Sequence, residues 1–153
     1  MLRKLFATAF TFLLFAAPAL AIEAKAVNNV ENVALKGFDP VAYFTDGKPR
    51  KGNPGITSKF QGVTYEFVNK DHKAQFDKEP AKYIPAYNGF CAFGVTEGLK
   101  IDIDPHAYAI DDGKLNVFFS EDARDAFQND LAKKSKEAEE KWPAVQKLTK
   151  VVR

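Results

Sequence analysis

Residues 65–76, YEFVNKDHKAQF, carry the change from strand to helix on which the fold depends. Before this change, apolar residues alternate with polar ones from Val63 to Phe67, and a period of two is typical of a strand with one buried face. After it, Asn69 is a favourable N-cap residue and predicts a helix that runs to about Lys78. The stretch therefore predicts a strand followed directly by a short helix.

Two antiparallel hairpins are predicted from their turn residues. Gln61-Gly62 separates the first pair of strands, and Asp112-Gly113, a pair that favours a type I′ turn, separates the second. The predicted strands cover 56–60 and 63–68 in the first hairpin, and 108–110 and 115–119 in the second.

A long C-terminal helix is predicted to begin after Ser120, which is a favourable N-cap residue. One buried stripe is expected along it, at Ala123, Phe127, Leu131 and Ala138. Trp142-Pro143 is expected to end or kink this helix. The elements together predict an α+β fold, in which small antiparallel hairpins pack on a short helix and a long C-terminal helix.

Composition and charge exclude some classes of function. The chain has 153 residues and a formal net charge of +2, with 46% hydrophobic and 27% charged residues. Without residues 1–21, which hold two basic and no acidic residues, 20 basic side chains balance 20 acidic ones. This balance argues against a nucleic-acid partner, which needs clustered basic surface. The hydrophobic content predicts one globular domain rather than a disordered chain.

The first 21 residues resemble a secretory signal peptide. Arg3 and Lys4 precede an apolar stretch of 16 residues, and residues 19–21, ALA, fit the small-residue cleavage pattern. Cleavage after Ala21 predicts a periplasmic or secreted protein with no membrane span. Residues 22–35 are then expected to be a lead-in segment, 36–143 the domain and 144–153 a C-terminal tail.

Several short motifs, in this order and spacing, resemble the YHS domain family. The central stretch quoted above is the strand-to-helix junction of that module. The other motifs are GFDPVAYF at 37–44, PAKY at 80–83, YIPAYNGFCA at 83–92, DP at 104–105 and GKL at 113–115. The later motifs are similar to an exported bacterial branch of the family, and the resemblance covers about residues 36–143.

The resemblance implies an association with metal handling. Metal-associated members of the family carry one cysteine in the opening motif and two more across the strand-to-helix junction. The matching positions here are Ala42, Val68 and His72, and of these only His72 has a side chain that can ligate a metal. A copper or zinc ion is the implied cofactor, and a metal-handling or membrane transport protein is the implied partner.

Further ligands for such a site have to come from elsewhere in the chain. The candidate metal ligands are therefore His72, Cys91, His106 and Asp104. Each also has a structural interpretation, which for His72 is a surface histidine close to the helix cap at Asn69. Cys91 lies between apolar residues and resembles a small core residue, whereas Asp102 to His106 resembles an ordinary strand end and turn.

The sequence thus predicts an exported, non-enzymatic YHS-like binding or accessory protein with a degenerate metal site. Motifs for a nucleophile elbow, a zinc-protease helix, a phosphate loop and a dinucleotide fold do not occur. Two alternatives stay open. One is a redox or enzymatic accessory that uses Cys91 or the segment from Asp102 to His106, and the other is a binder of a small apolar ligand or cofactor.

Overall fold

A computed structural model describes residues 27–153 of the chain. The predicted signal peptide and its cleavage site lie outside these residues. The strands are β1 (Asn29–Val30), β2 (Val33–Ala34), β3 (Asn53–Phe60), β4 (Val63–Phe67), β5 (Asp104–Asp111) and β6 (Lys114–Phe118). The helices are α1 (Ala42–Thr45), α2 (Lys70–Lys78), α3 (Pro80–Tyr83), α4 (Ala92–Thr96), α5 (Glu121–Gln128) and α6 (Leu131–Val145). The predicted α+β fold class is confirmed.

Both predicted hairpins form. β3 pairs antiparallel with β4, and β5 pairs antiparallel with β6. At the second turn Asp112 and Gly113 have φ angles of +48° and +71°, as a type I′ turn requires. The first sheet is larger than a hairpin, with the order β1-β2-β4-β3 and with β2 parallel to β4. Residues 27–35, expected to be only a lead-in, therefore contribute two strands to the sheet.

The two predicted N-caps are present. The Asn69 side chain accepts a hydrogen bond from the backbone N–H of His72 at 2.8 Å, and Ser120 accepts one from Ala123 at 3.2 Å. The long C-terminal helix is divided, because α5 ends at Gln128 and α6 begins at Leu131. Trp142-Pro143 does not end the helix, because α6 continues through Pro143 to Val145.

The C-terminal tail packs on the domain. The backbone of Val152 accepts a hydrogen bond from Asp102 at 2.9 Å and donates one to Lys100 at 2.8 Å. The buried Lys100 ammonium donates hydrogen bonds to the carbonyls of Gln146 and Leu148, both at 2.8 Å. These bonds satisfy carbonyl groups that follow the last turn of α6. Residues 146–153 are thus held in place by backbone and side-chain bonds.

Two hydrophobic clusters form the core, and the opening motif joins them. One cluster lies on the first sheet and includes Phe76 and Val41, and the other lies between β5, β6, α4, α5 and α6 and includes Tyr43. The Tyr43 hydroxyl donates to the carbonyl of Pro105 at 2.9 Å. Because Val41 and Tyr43 belong to different clusters, residues 37–44 connect the two halves of the fold. Across residues 27–153, no helix combines the length and apolar character that crossing a membrane requires.

Candidate functional site

The Asp39 carboxylate belongs to the opening motif at residues 37–44, is fully buried and contacts the strand-to-helix junction. Oδ1 accepts hydrogen bonds from the backbone N–H groups of Val41 at 2.8 Å and Ala42 at 3.3 Å. Oδ2 accepts from the backbone N–H of Val68 at 2.8 Å and lies 2.7 Å from Nδ1 of His72. The sequence explains part of this arrangement, because an aspartate before Pro40 is a typical cap for a following helical turn. Asp39 thereby ties α1 to the end of β4 and the start of α2.

His72 lies in the first turn of α2 and is 7% exposed. The carboxylate of Asp39 has only acceptors, so the proton between the two side chains belongs on Nδ1 of the imidazole. In the neutral ring, Nε2 is then a hydrogen-bond acceptor. This pairing fixes both the orientation and the tautomer of the imidazole.

Two polar side chains at the end of α1 face the Nε2 atom of His72. The Thr45 hydroxyl lies 3.3 Å from Nε2, and Oδ1 of Asp46 lies 3.6 Å from it. A hydroxyl has one proton, and Thr45 has two competing acceptors, Asp46 at 3.0 Å and the backbone carbonyl of Val41 at 3.2 Å. Hydrogen bonds from Arg50, at 2.6 Å, and from Thr45 lower the pKa of Asp46.

The order of hydroxyl, imidazole and carboxylate is the one that activates a nucleophile in many hydrolases. In this protein the Asp46 carboxylate lies closer to the Thr45 hydroxyl than the imidazole does. The hydroxyl proton is therefore drawn towards Asp46 rather than towards the base. The geometry therefore fits a polar network that stabilises the fold better than it fits a catalytic triad.

The three positions that correspond to metal-ligand positions in the resembled family converge on Asp39. Ala42 and Val68 reach it through backbone N–H groups, and His72 reaches it through the imidazole. The side chains of Ala42 and Val68 have no lone pair, and Nδ1 of His72 is already paired. These three positions therefore supply a single ligand atom, Nε2 of His72, and within residues 27–153 it belongs to no group of three His, Cys, Asp or Glu side chains, so the residues present do not fit a bound metal ion.

Cys91 lies in the core, 1% exposed, where it precedes α4. Its sulfur accepts a weak hydrogen bond from the backbone N–H of Gly94 at 3.4 Å. Burial raises the pKa of the Cys91 thiol, and a protonated thiol is a poor nucleophile and a poor ligand.

We expect Cys91 to be unreactive in the native protein, because burial both keeps the thiol protonated and blocks access to reagents. The measurement is labelling with a chromogenic disulfide reagent, with and without urea. One thiol per chain should react quickly in urea and only slowly in the native state. Rapid labelling of the native protein would instead show an accessible, reactive thiol.

The other two predicted ligands lie on the surface of β5. Nδ1 of His106 lies 3.0 Å from Asp104, and both side chains are more than half exposed. Asp102 is engaged elsewhere, by Lys36 at 3.0 Å and Asn28 at 3.1 Å. Within the described part of the chain, no three His, Cys, Asp or Glu side chains are grouped so that they could hold a metal ion. The predicted ligands are thus not brought together.

The residues that surround His72 were not among the predicted site residues. Asp39 enters the sequence analysis only as part of the motif GFDPVAYF at 37–44, and Thr45 and Asp46 are not singled out there. Asp39 and His72 are 33 residues apart, and no local pattern links them. The sequence does contain one signal for Asp39, because it lies in the same motif, residues 37–44, as the family ligand position Ala42.

Comparisons with protein-family models, with curated proteins and with solved structures gave no match.

Proposed function

We propose that the chain is an exported, non-enzymatic YHS-like binding or accessory domain whose metal-ligand positions have become a structural clasp. The clasp consists of Asp39, His72 and the backbone N–H groups of Val41, Ala42 and Val68. The observation that carries the proposal is that the three family ligand positions all bond to one buried carboxylate. The resemblance alone supplies the link to metal handling, and it implies a metal-handling or transport protein as partner.

The electrostatics of the clasp support a structural role. A buried carboxylate is stable only when its oxygens are well bonded, and both Asp39 oxygens have two partners. A metal ion at Nδ1 of His72 would have to displace Asp39 and leave its charge buried without that partner. Binding at Nε2 would have only the neighbouring Thr45 and Asp46 to complete the coordination.

The proposal predicts that neither Cu²⁺ nor Zn²⁺ binds stoichiometrically with a Kd below about 10 μM, which is weak on the scale of protein affinities. The measurement is calorimetric titration near neutral pH of the wild type, His72→Gln and the exposed control His106→Gln. All three proteins should give the same weak response. Tight stoichiometric binding that is lost in His72→Gln and kept in His106→Gln would contradict the proposal.

A further inference from the structure

Glu66 is a buried acid on the face of β4 where an exposed residue is expected. The alternation from Val63 to Phe67 places Glu66 opposite the core, and yet the residue is only 8% exposed. No hydrogen bond or ion pair within residues 27–153 involves its carboxylate, whose oxygens keep some contact with solvent. A carboxylate that is largely removed from water and has no partner gains more from binding a cation than an exposed carboxylate does.

Two glycines make room for Glu66. A Cβ at Gly37 would lie 2.7 Å from Oε2 of Glu66 and 2.9 Å from Nζ of Lys51. A Cβ at Gly52 would lie 2.6 Å from both the carbonyl carbon and the Cβ of Glu66. The backbones of the two glycines are joined by a hydrogen bond of 2.8 Å. Glu66 is thus buried by two stretches of chain, one at Gly37 and one at Gly52, which pass close to β4 at this point.

The Glu66 carboxylate lines an open cleft of about 290 Å³ beside the first sheet. Val30 and Val33 supply apolar lining, and the charged lining residues are Glu31, Lys36, Lys51 and Glu66. This volume accommodates a small organic group but not a folded element.

The charges around the cleft favour a single cation. The ammonium of Lys36 is engaged by Asp102 at 3.0 Å and by the carbonyl of Ile103 at 2.6 Å. Lys51 donates to the carbonyl of Lys36 and lies over the Phe38 ring. With Lys36 neutralised by Asp102, two acids face one lysine, so the lining has one uncompensated negative charge.

We propose that this cleft binds a protonated amine carried on a short apolar stem, with the ammonium on Glu66 and the stem against Val30 and Val33. The carboxylate supplies charge-assisted acceptors for the ammonium hydrogens. Either a free small amine or a lysine side chain of a peptide has this chemistry. This cleft does not include the clasp around Asp39. A negative result for amine binding would therefore leave the proposal about the clasp unaffected.

The test is an NMR chemical-shift titration of the full mature chain with n-butylammonium, sodium butyrate and N-acetyl-lysine methylamide. We expect butylammonium to shift the amide signals of the cleft saturably, and butyrate to leave them unchanged. Tighter binding of the lysine amide than of butylammonium assigns the site to a peptide side chain, and equal or weaker binding assigns it to a free amine.

Two variants give opposite expectations. Glu66→Gln keeps the size of the side chain and should weaken butylammonium binding by about tenfold, since the charge-assisted bond is lost. Lys51→Met removes the competing positive charge and should strengthen binding, whereas the exposed control Glu79→Gln should not change it. Wild-type protein without a saturable response to either amine, or equal binding by wild type and Glu66→Gln, would overturn the proposal.

Discussion

Asp39→Ala is expected to lower the free energy of unfolding by about 3–5 kcal/mol, because several buried donors lose a charged acceptor and each one left unsatisfied costs about 1–3 kcal/mol before the site relaxes. The substitution leaves the backbone N–H groups of Val41, Ala42 and Val68 without their acceptor in a buried site. It also releases the imidazole of His72. Urea unfolding followed by circular dichroism measures the change, with a lower midpoint and an unchanged slope expected.

The matched control is Asp71→Ala, because Asp71 is exposed in the first turn of α2. It should lower stability by less than about 1 kcal/mol, through the helix dipole alone. Asp39→Asn keeps one acceptor oxygen and should fall between the two. Equal stability of Asp39→Ala and Asp71→Ala would show that the clasp contributes little to the fold.

Phe76→Ala is expected to have an effect of similar size, a loss of about 3–5 kcal/mol, because it removes the central ring of the first hydrophobic cluster. Phe76 is 1% exposed, and its ring centroid lies 4.9 Å from that of Tyr65 and 5.2 Å from that of Phe67. The substitution removes these ring contacts and leaves a cavity between β4 and α2. The same urea unfolding measurement applies.

Phe119→Ala serves as the control for this substitution. The Phe119 side chain is 53% exposed, and its removal should change stability by less than about 1 kcal/mol. A loss at Phe76 no greater than that at Phe119 would mean that the packing of α2 on the first sheet is not what stabilises this half of the chain.

The sequence predicts the local elements well because their signals are local. The turn pairs Gln61-Gly62 and Asp112-Gly113 have positive φ angles in the structure, and the side chains of Asn69 and Ser120 cap their helices. The division of the C-terminal helix is missed, since nothing in the apolar stripe marks a break after Gln128.

Long-range contacts account for the other features of the structure that the sequence does not predict. The period-two pattern places Glu66 on the face of β4 away from the core, and its burial comes from Gly37 and Gly52, which lie in two other stretches of the chain. The pairing of Asp39 with His72 likewise depends on how α1 packs against the β4–α2 junction. The candidate ligand His72 was found through family spacing, whereas the partners that determine its chemistry could not be read from the sequence.

The most direct test of the clasp is a double-mutant cycle that combines Asp39→Asn and His72→Gln, measured by urea unfolding. The account predicts a coupling of about 0.5–3 kcal/mol, the range for residues that share one hydrogen-bond network. The double variant should then be more stable than the sum of the two single losses implies. Additive losses would show that the two side chains act independently, and would contradict the assignment of Asp39 and His72 to one structural unit.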